Sequence, residues 1–115
     1  MTARVLIVED DPVIALEAEA ALSEAGFEIA GLANSVERGL AAIHAGHCDV
    51  VVLDANLRGE SVEPLTSLLQ RRGTPFFFIS GYGRVHLPAA FLDAALVSKP
   101  FTRDELTRAV RGMLP

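Results

Sequence analysis

Val5-Leu6-Ile7-Val8-Glu9-Asp10-Asp11-Pro12 decides the fold. Four apolar residues with no polar alternation are the pattern of a short strand buried on both faces. The run stops abruptly on three acids. Asp11 followed by Pro12 reads as a helix N-cap with proline at the first helical position. Ile14, Ala18, Ala21, Leu22 and Ala25 then recur at helical spacing, while Glu17, Glu19 and Glu24 lie off that stripe. Gly26 is a natural stop.

The same order of elements repeats downstream. Phe27–Ala33 reads as a second, less regular strand. Ser35 can cap a helix carrying Val36, Leu40 and Ile43 that ends near Gly46. Val50–Leu53 is another buried strand, and Asn56-Leu57-Arg58-Gly59 a turn. Ser61 can cap a short helix with Leu65, Leu68 and Leu69 that stops at Gly73; Pro64 fits only its first turn. Phe76–Ile79 is the fourth strand. Gly81, Gly83 and Pro88 oppose a long helix over 81–94, so a short or irregular fourth helix is expected there. Ala95–Val97 is the fifth strand. Thr102-Arg103-Asp104-Glu105 is a capping box opening a last helix with Leu106, Ala109, Val110 and Met113 inward. Five alternations predict an α/β fold, a doubly wound parallel sheet with helices on both faces and right-handed crossovers.

Composition sets the bounds. The chain has 115 residues, half of them hydrophobic and 22% charged, as expected of one globular domain. Its net charge of −5 argues against sequence-independent nucleic-acid binding, which needs a basic face. Arg71-Arg72 is the only adjacent basic pair and reads as a solvated helix end. Cys48 is alone, so no internal disulfide can form, and a cytoplasmic location fits best. The apolar run after the N-terminus is too short for a signal-peptide core or a membrane span.

In a doubly wound sheet the ligand site lies beyond the carboxyl ends of the strands. Those ends carry Glu9-Asp10-Asp11, Asp54, Ser80 and Lys99-Pro100. Each has an ordinary reading when taken alone: an acidic turn with a cap, an acid starting a turn, a turn serine, a surface lysine. Asp11 is well explained as the cap. As a set they suggest more. Clustered carboxylates repel unless a cation is present, and Mg²⁺ takes oxygen ligands while keeping several waters. Asp10 and Asp54 are the direct ligand candidates, Glu9 acts through water, and Asn56 can add its backbone carbonyl. Asp54 can act as a nucleophile toward a phosphoryl group, with the metal and Lys99 neutralising charge and Ser80 donating a hydrogen bond. His44, His47 and His86 show no pairing that suggests a metal site, and there is no P-loop.

"VLIVEDDP", "VVLDANLRGE", "FFFISGYG" and "VSKPF" together resemble the receiver domain of two-component response regulators, a CheY-like, flavodoxin-like fold with strand order 2-1-3-4-5. The resemblance covers essentially the whole chain. It implies an acidic pocket at Glu9 and Asp10, a phosphoacceptor at Asp54, a switch hydroxyl at Ser80, a phosphoryl-contacting lysine at Lys99, a cis Lys99-Pro100 peptide and Mg²⁺ as cofactor. "PFFFISGYG" is similar to the PFxFATGYG motif of alphaproteobacterial single-domain receivers, which are partners of HWE or related histidine kinases. Here Ile79-Ser80 replaces the Ala-Thr of that motif. Many receivers also carry a Tyr or Phe three residues before the lysine, a ring that moves inward on phosphorylation. This chain has Leu96 there. Tyr82 either substitutes for that ring, gates access to Asp54, or is an exposed loop tyrosine.

The implied role is a stand-alone response regulator over 1–115 with no output domain. It would take its phosphoryl group from a histidine kinase and signal through a downstream protein or phosphotransfer partner, with room for a weak homodimer. It would not be a turnover enzyme, beyond self-phosphorylation and autodephosphorylation. Two other classes compete. One is a phosphorylation-independent scaffold with a vestigial site, supported by Leu96. The other is an aspartyl-phosphate phosphatase of the haloacid-dehalogenase type. Against the latter, Asn56, two residues after Asp54, cannot serve as a general acid.

Overall fold

The computed structural model describes residues 2–85 and 87–115. Strands β1 (Arg4–Val8), β2 (Glu28–Ala33), β3 (Val50–Asp54), β4 (Phe76–Ser80) and β5 (Leu96–Ser98) form one parallel sheet in the order β2-β1-β3-β4-β5. Helices α1 (Pro12–Glu24), α2 (Val36–Ala45), α3 (Glu63–Arg72) and α4 (Arg103–Met113) complete the fold.

The uninterrupted apolar runs follow from coverage of both faces. Val5, Ile7, Val50, Val52, Phe77 and Ile79 pack with Ala18 and Leu22 of α1 and Leu106 and Val110 of α4. Their neighbours Leu6, Val8, Val51, Leu53 and Phe78 point the other way, toward Ile43 of α2 and Leu65 and Leu69 of α3. The two-residue pleat makes both layers from the same strands.

Helix ends follow local chemistry, with one correction. Asp11 caps α1, accepting the N–H groups of Val13 (2.9 Å) and Ile14 (3.4 Å). Ser35 caps α2. The Thr102/Glu105 capping box opens α4, with both reciprocal bonds formed. Ser61 does not cap α3. Val62 occupies that position without a side-chain bond, and Ser61 Oγ instead accepts Glu63 N–H at 3.3 Å. The serine satisfies a local turn, while Val62 is drawn into the core by its own burial. Gly73, at φ 69°, ends α3 in the left-handed conformation that glycine adopts without strain.

Among the described residues the segment between β4 and β5 contains only a 3-10 turn, Ala89–Phe91, in place of a fourth crossover helix. Strand β5 begins at Leu96 rather than Ala95. The Lys99-Pro100 peptide is cis, as the resemblance implied. Among the described residues no helix is long and apolar enough to cross a membrane.

Candidate functional site

The C-terminal ends of β1, β3, β4 and β5 converge on a cleft of about 410 Å³. Glu9, Asp10, Asp54, Asn56, Ser80 and Lys99 all line it, so every site residue expected from the sequence reaches one place. Asp11, Ile14, Gly81 and Tyr82 complete the wall.

The acids sit where the strands run out. Glu9 is buried and Asp10 partly exposed. Glu9 N–H continues the ladder to Ala33 (2.9 Å), and its Oε2 accepts Asp11 N–H at 3.0 Å. Asp54 is the buried last residue of β3, its Oδ1 accepting Asn56 N–H at 3.1 Å. One carboxylate oxygen from each of Glu9, Asp10 and Asp54 lies within 4.8 Å of the others. Three hard oxygen donors this close fit a hard divalent cation such as Mg²⁺.

Lys99 is the counter-charge. Its Nζ lies 2.5 Å from Glu9 Oε1 and 3.4 Å from Asp54 Oδ2. Its backbone N–H donates to Ser80 O at 2.8 Å, which fixes β5 against β4 at the site. Burial alone would pull the Lys99 ammonium down; its hydrogen bond to Glu9 and the charges of Asp54 and Glu9 outweigh that and hold it above its usual value. Asp54 goes the opposite way to most acids. Burial, its hydrogen bond with Glu9 and the Glu9 charge push its carboxyl up to about 8, against the pull of Asn56 N–H and Lys99. Burial also raises Asp10, but hydrogen bonds to Glu9, to Asp54 and within its own backbone bring it below the usual carboxylate range.

Ser80 is buried at the end of β4, its Oγ accepting Tyr82 N–H at 3.0 Å. The hydroxyl proton remains available to donate. Asn56, which opens the 56–60 turn, also lines the cleft. Asn56 Oδ1 accepts Gly59 N–H (3.1 Å), and Glu60 N–H donates to Leu57 O (2.8 Å). Arg58 (φ 53°) and Gly59 (φ 76°) both have positive φ, the pattern of a tight I′-type reversal. Leu57 lies within the turn expected from sequence, yet it is fully buried and anchors that turn to the core.

His44 and His47 stand away from this cleft. His44 Nδ1 accepts from Arg72 Nη2 (3.2 Å), and His47 Nε2 lies 2.7 Å from Asp49 Oδ1. His86 lies outside the described residues. Arg71 is exposed. Arg72 is more than a solvated helix end, because its Nη1 also donates to Ile43 O at 2.8 Å and ties α3 to α2. Arg84 is the residue sequence reasoning passed over. Its Nη1 donates to Leu92 O (2.9 Å) and Ala94 O (2.7 Å), a pairing that no periodicity signals.

Comparison with known proteins agrees with this geometry. The family model of the response regulator receiver domain matches residues 5–111. The transcriptional regulatory protein TcrA of Mycobacterium tuberculosis is 32% identical, over 96% of this chain and 45% of its own length. The chain spans about half the length of the curated relatives it matches. In solution, SdrG from Sphingomonas melonis superposes with a TM-score of 0.86 at 34% identity, covering 97% of this chain and 96% of that one. The response regulator PhyR from Brucella abortus gives 0.85 at 25% identity, over 99% of this chain and 48% of its own.

Proposed function

The chain belongs to the response regulator receiver domain family, and from that premise we propose that it accepts a phosphoryl group on Asp54 from a histidine kinase and signals through protein contacts. Receiver domains generally bind Mg²⁺ at an acidic pocket. The observation that carries the reading is the convergence of Asp54, two further acids, Lys99 and Ser80 within one cleft.

Asp54 attacks the phosphorus through a carboxylate oxygen. The bond from phosphorus to the donor imidazole nitrogen breaks, its electron pair leaves on that nitrogen, and the nitrogen takes a proton. A bound Mg²⁺ supplies charge neutralisation, and Glu9, Asp10, Asp54 and the Asn56 carbonyl are the groups that would hold it. Lys99 is engaged mainly with Glu9 and turns toward the phosphoryl oxygens, while Ser80 donates its hydroxyl proton to one of them. Such chemistry is mainly positioning and charge neutralisation. We assign no steady turnover of a separate substrate. The "PFFFISGYG" segment favours an HWE-type kinase as donor, and the lone Cys48 fits a cytoplasmic setting.

Incubation with acetyl phosphate and Mg²⁺, read by intact mass, tests this. Wild type gains one phosphoryl group and Asp54→Ala gains none. Equal labelling of both proteins would remove Asp54 from the role. A phosphorylation-independent scaffold would instead bind its partner identically as wild type and as Asp54→Asn in the presence of a phosphodonor.

A further inference from the structure

Leu96 carries no ring and no hydroxyl, and it packs into the apolar layer beneath α2 and α3. Movement of the Ser80 hydroxyl therefore needs another route to the surface of the fold. One is built along the 81–94 segment. Ser80 Oγ holds Tyr82 N–H. Gly81 and Gly83 flank Tyr82 with open space around them, and Gly83 sits at φ 61°. Arg84 follows directly, and its single Nη1 clasps the carbonyls of Leu92 and Ala94.

That clasp closes the segment into a ring ending beside β5, where Ala95 O accepts Phe78 N–H at 3.0 Å. Inside it, Leu87 is buried, and Phe91 meets Phe76 and Phe78 edge-on, with ring centroids 5.5 and 6.0 Å away. No carboxylate pairs with Arg84 among the described residues. Its charge is held by two carbonyls at an exposed position, where water competes for the same bonds.

We propose that Arg84 is a positioning residue that latches the segment after Ser80 against the carbonyls of Leu92 and Ala94, and that Ser80, on turning toward a phosphoryl group at Asp54, releases the latch through Tyr82. The proposal rests on the phosphoacceptor reading above. It gives this chain a hydroxyl–backbone–arginine connection where the ring at position 96 is missing. Release would free the Leu92 and Ala94 carbonyls and loosen the packing of Phe91, so the surface that changes lies between the 3-10 turn and β5. A two-state segment biased by a local charge is a sufficient switch.

Hydrogen exchange read by mass spectrometry on the full chain with Mg²⁺ tests the latch, using beryllofluoride as phosphoryl mimic and its ¹⁹F resonance as the sign of binding. Arg84→Ala without the mimic is expected to speed exchange at the Phe91 and Ala94 amides about tenfold. Wild type with the mimic should reach a similar rate, and adding the mimic to Arg84→Ala should change little more. Amides of β1 and β3 stay protected throughout and report that the fold is intact. Wild-type rates in Arg84→Ala would overturn the latch. A bound mimic that leaves residues 87–94 of wild type unchanged would overturn the coupling to Ser80. Absence of a bound ¹⁹F signal would instead overturn the phosphoacceptor reading, and the coupling with it.

Discussion

The two walls of the cleft are built differently. On one side the β1–α1 turn is short and hydrogen-bonded, and the β3–α3 connection is hydrogen-bonded and anchored by the fully buried Leu57. On the other, Ser80 opens into a segment whose only regular element among the described residues is a three-residue 3-10 turn, held by ring packing and one exposed arginine. The rigid wall presents the carboxylates, whose geometry must not drift if a cation is to be held. The adjustable wall carries the hydroxyl that would report charge. Each kind of order is placed where the proposed chemistry uses it.

Breaking the rigid wall should cost most. Leu57→Ala removes a fully buried side chain from the turn, and a loss of about 2–5 kcal/mol is expected, seen as a lower urea midpoint for the whole domain. An unchanged midpoint would mean the turn is not anchored there.

The acid cluster should respond in the opposite direction. The folded-state value of Asp54, about 8, lies above its ordinary 3.8. Between those values the native state binds the extra proton, so metal-free stability falls as pH rises through that window. Asp54→Asn should therefore stabilise the metal-free fold by about 1–3 kcal/mol at pH 8 and by much less near pH 4. Mg²⁺ should stabilise wild type and shrink that difference. A gain independent of pH would point away from Asp54 ionisation as its cause.

On the adjustable wall, Phe91→Ala should cost only about 1–2 kcal/mol, because the ring is partly buried and its loss opens the segment locally rather than the domain. Faster exchange confined to 87–94 is the expected signature. Smallest is Gly59→Ala, about 1 kcal/mol from placing a Cβ at φ 76°. A weaker Mg²⁺ affinity should accompany it, since Gly59 N–H holds the Asn56 side chain; urea unfolding measures the first effect and calorimetric titration the second.

Most of the site was legible because a parallel sheet brings strand ends together. Asp10, Asp54, Ser80 and Lys99 each follow an apolar run, so periodicity located the strands and topology gathered the residues. Helix ends with strong side-chain chemistry, at Asp11, Ser35 and Thr102, were equally readable. Legibility failed where several weak preferences compete. Ser61 offered a better cap than Val62, but burial of Val62 decided the register. Leu57 sat in a turn-like sequence and gave no sign of its depth. Arg84 acts across eight and ten residues within an aperiodic stretch, and no spacing rule reaches it.

The proposed chemistry turns on one carboxylate, and an acyl phosphate can be trapped in place. Borohydride reduction after treatment with acetyl phosphate and Mg²⁺ converts an aspartyl phosphate to homoserine, which peptide mapping then locates. Homoserine at position 54 alone, and only when Mg²⁺ was present, is the predicted result. Homoserine at Asp10 or Asp11, or formation at position 54 that needs no cation, would contradict the division of labour assigned to the cleft.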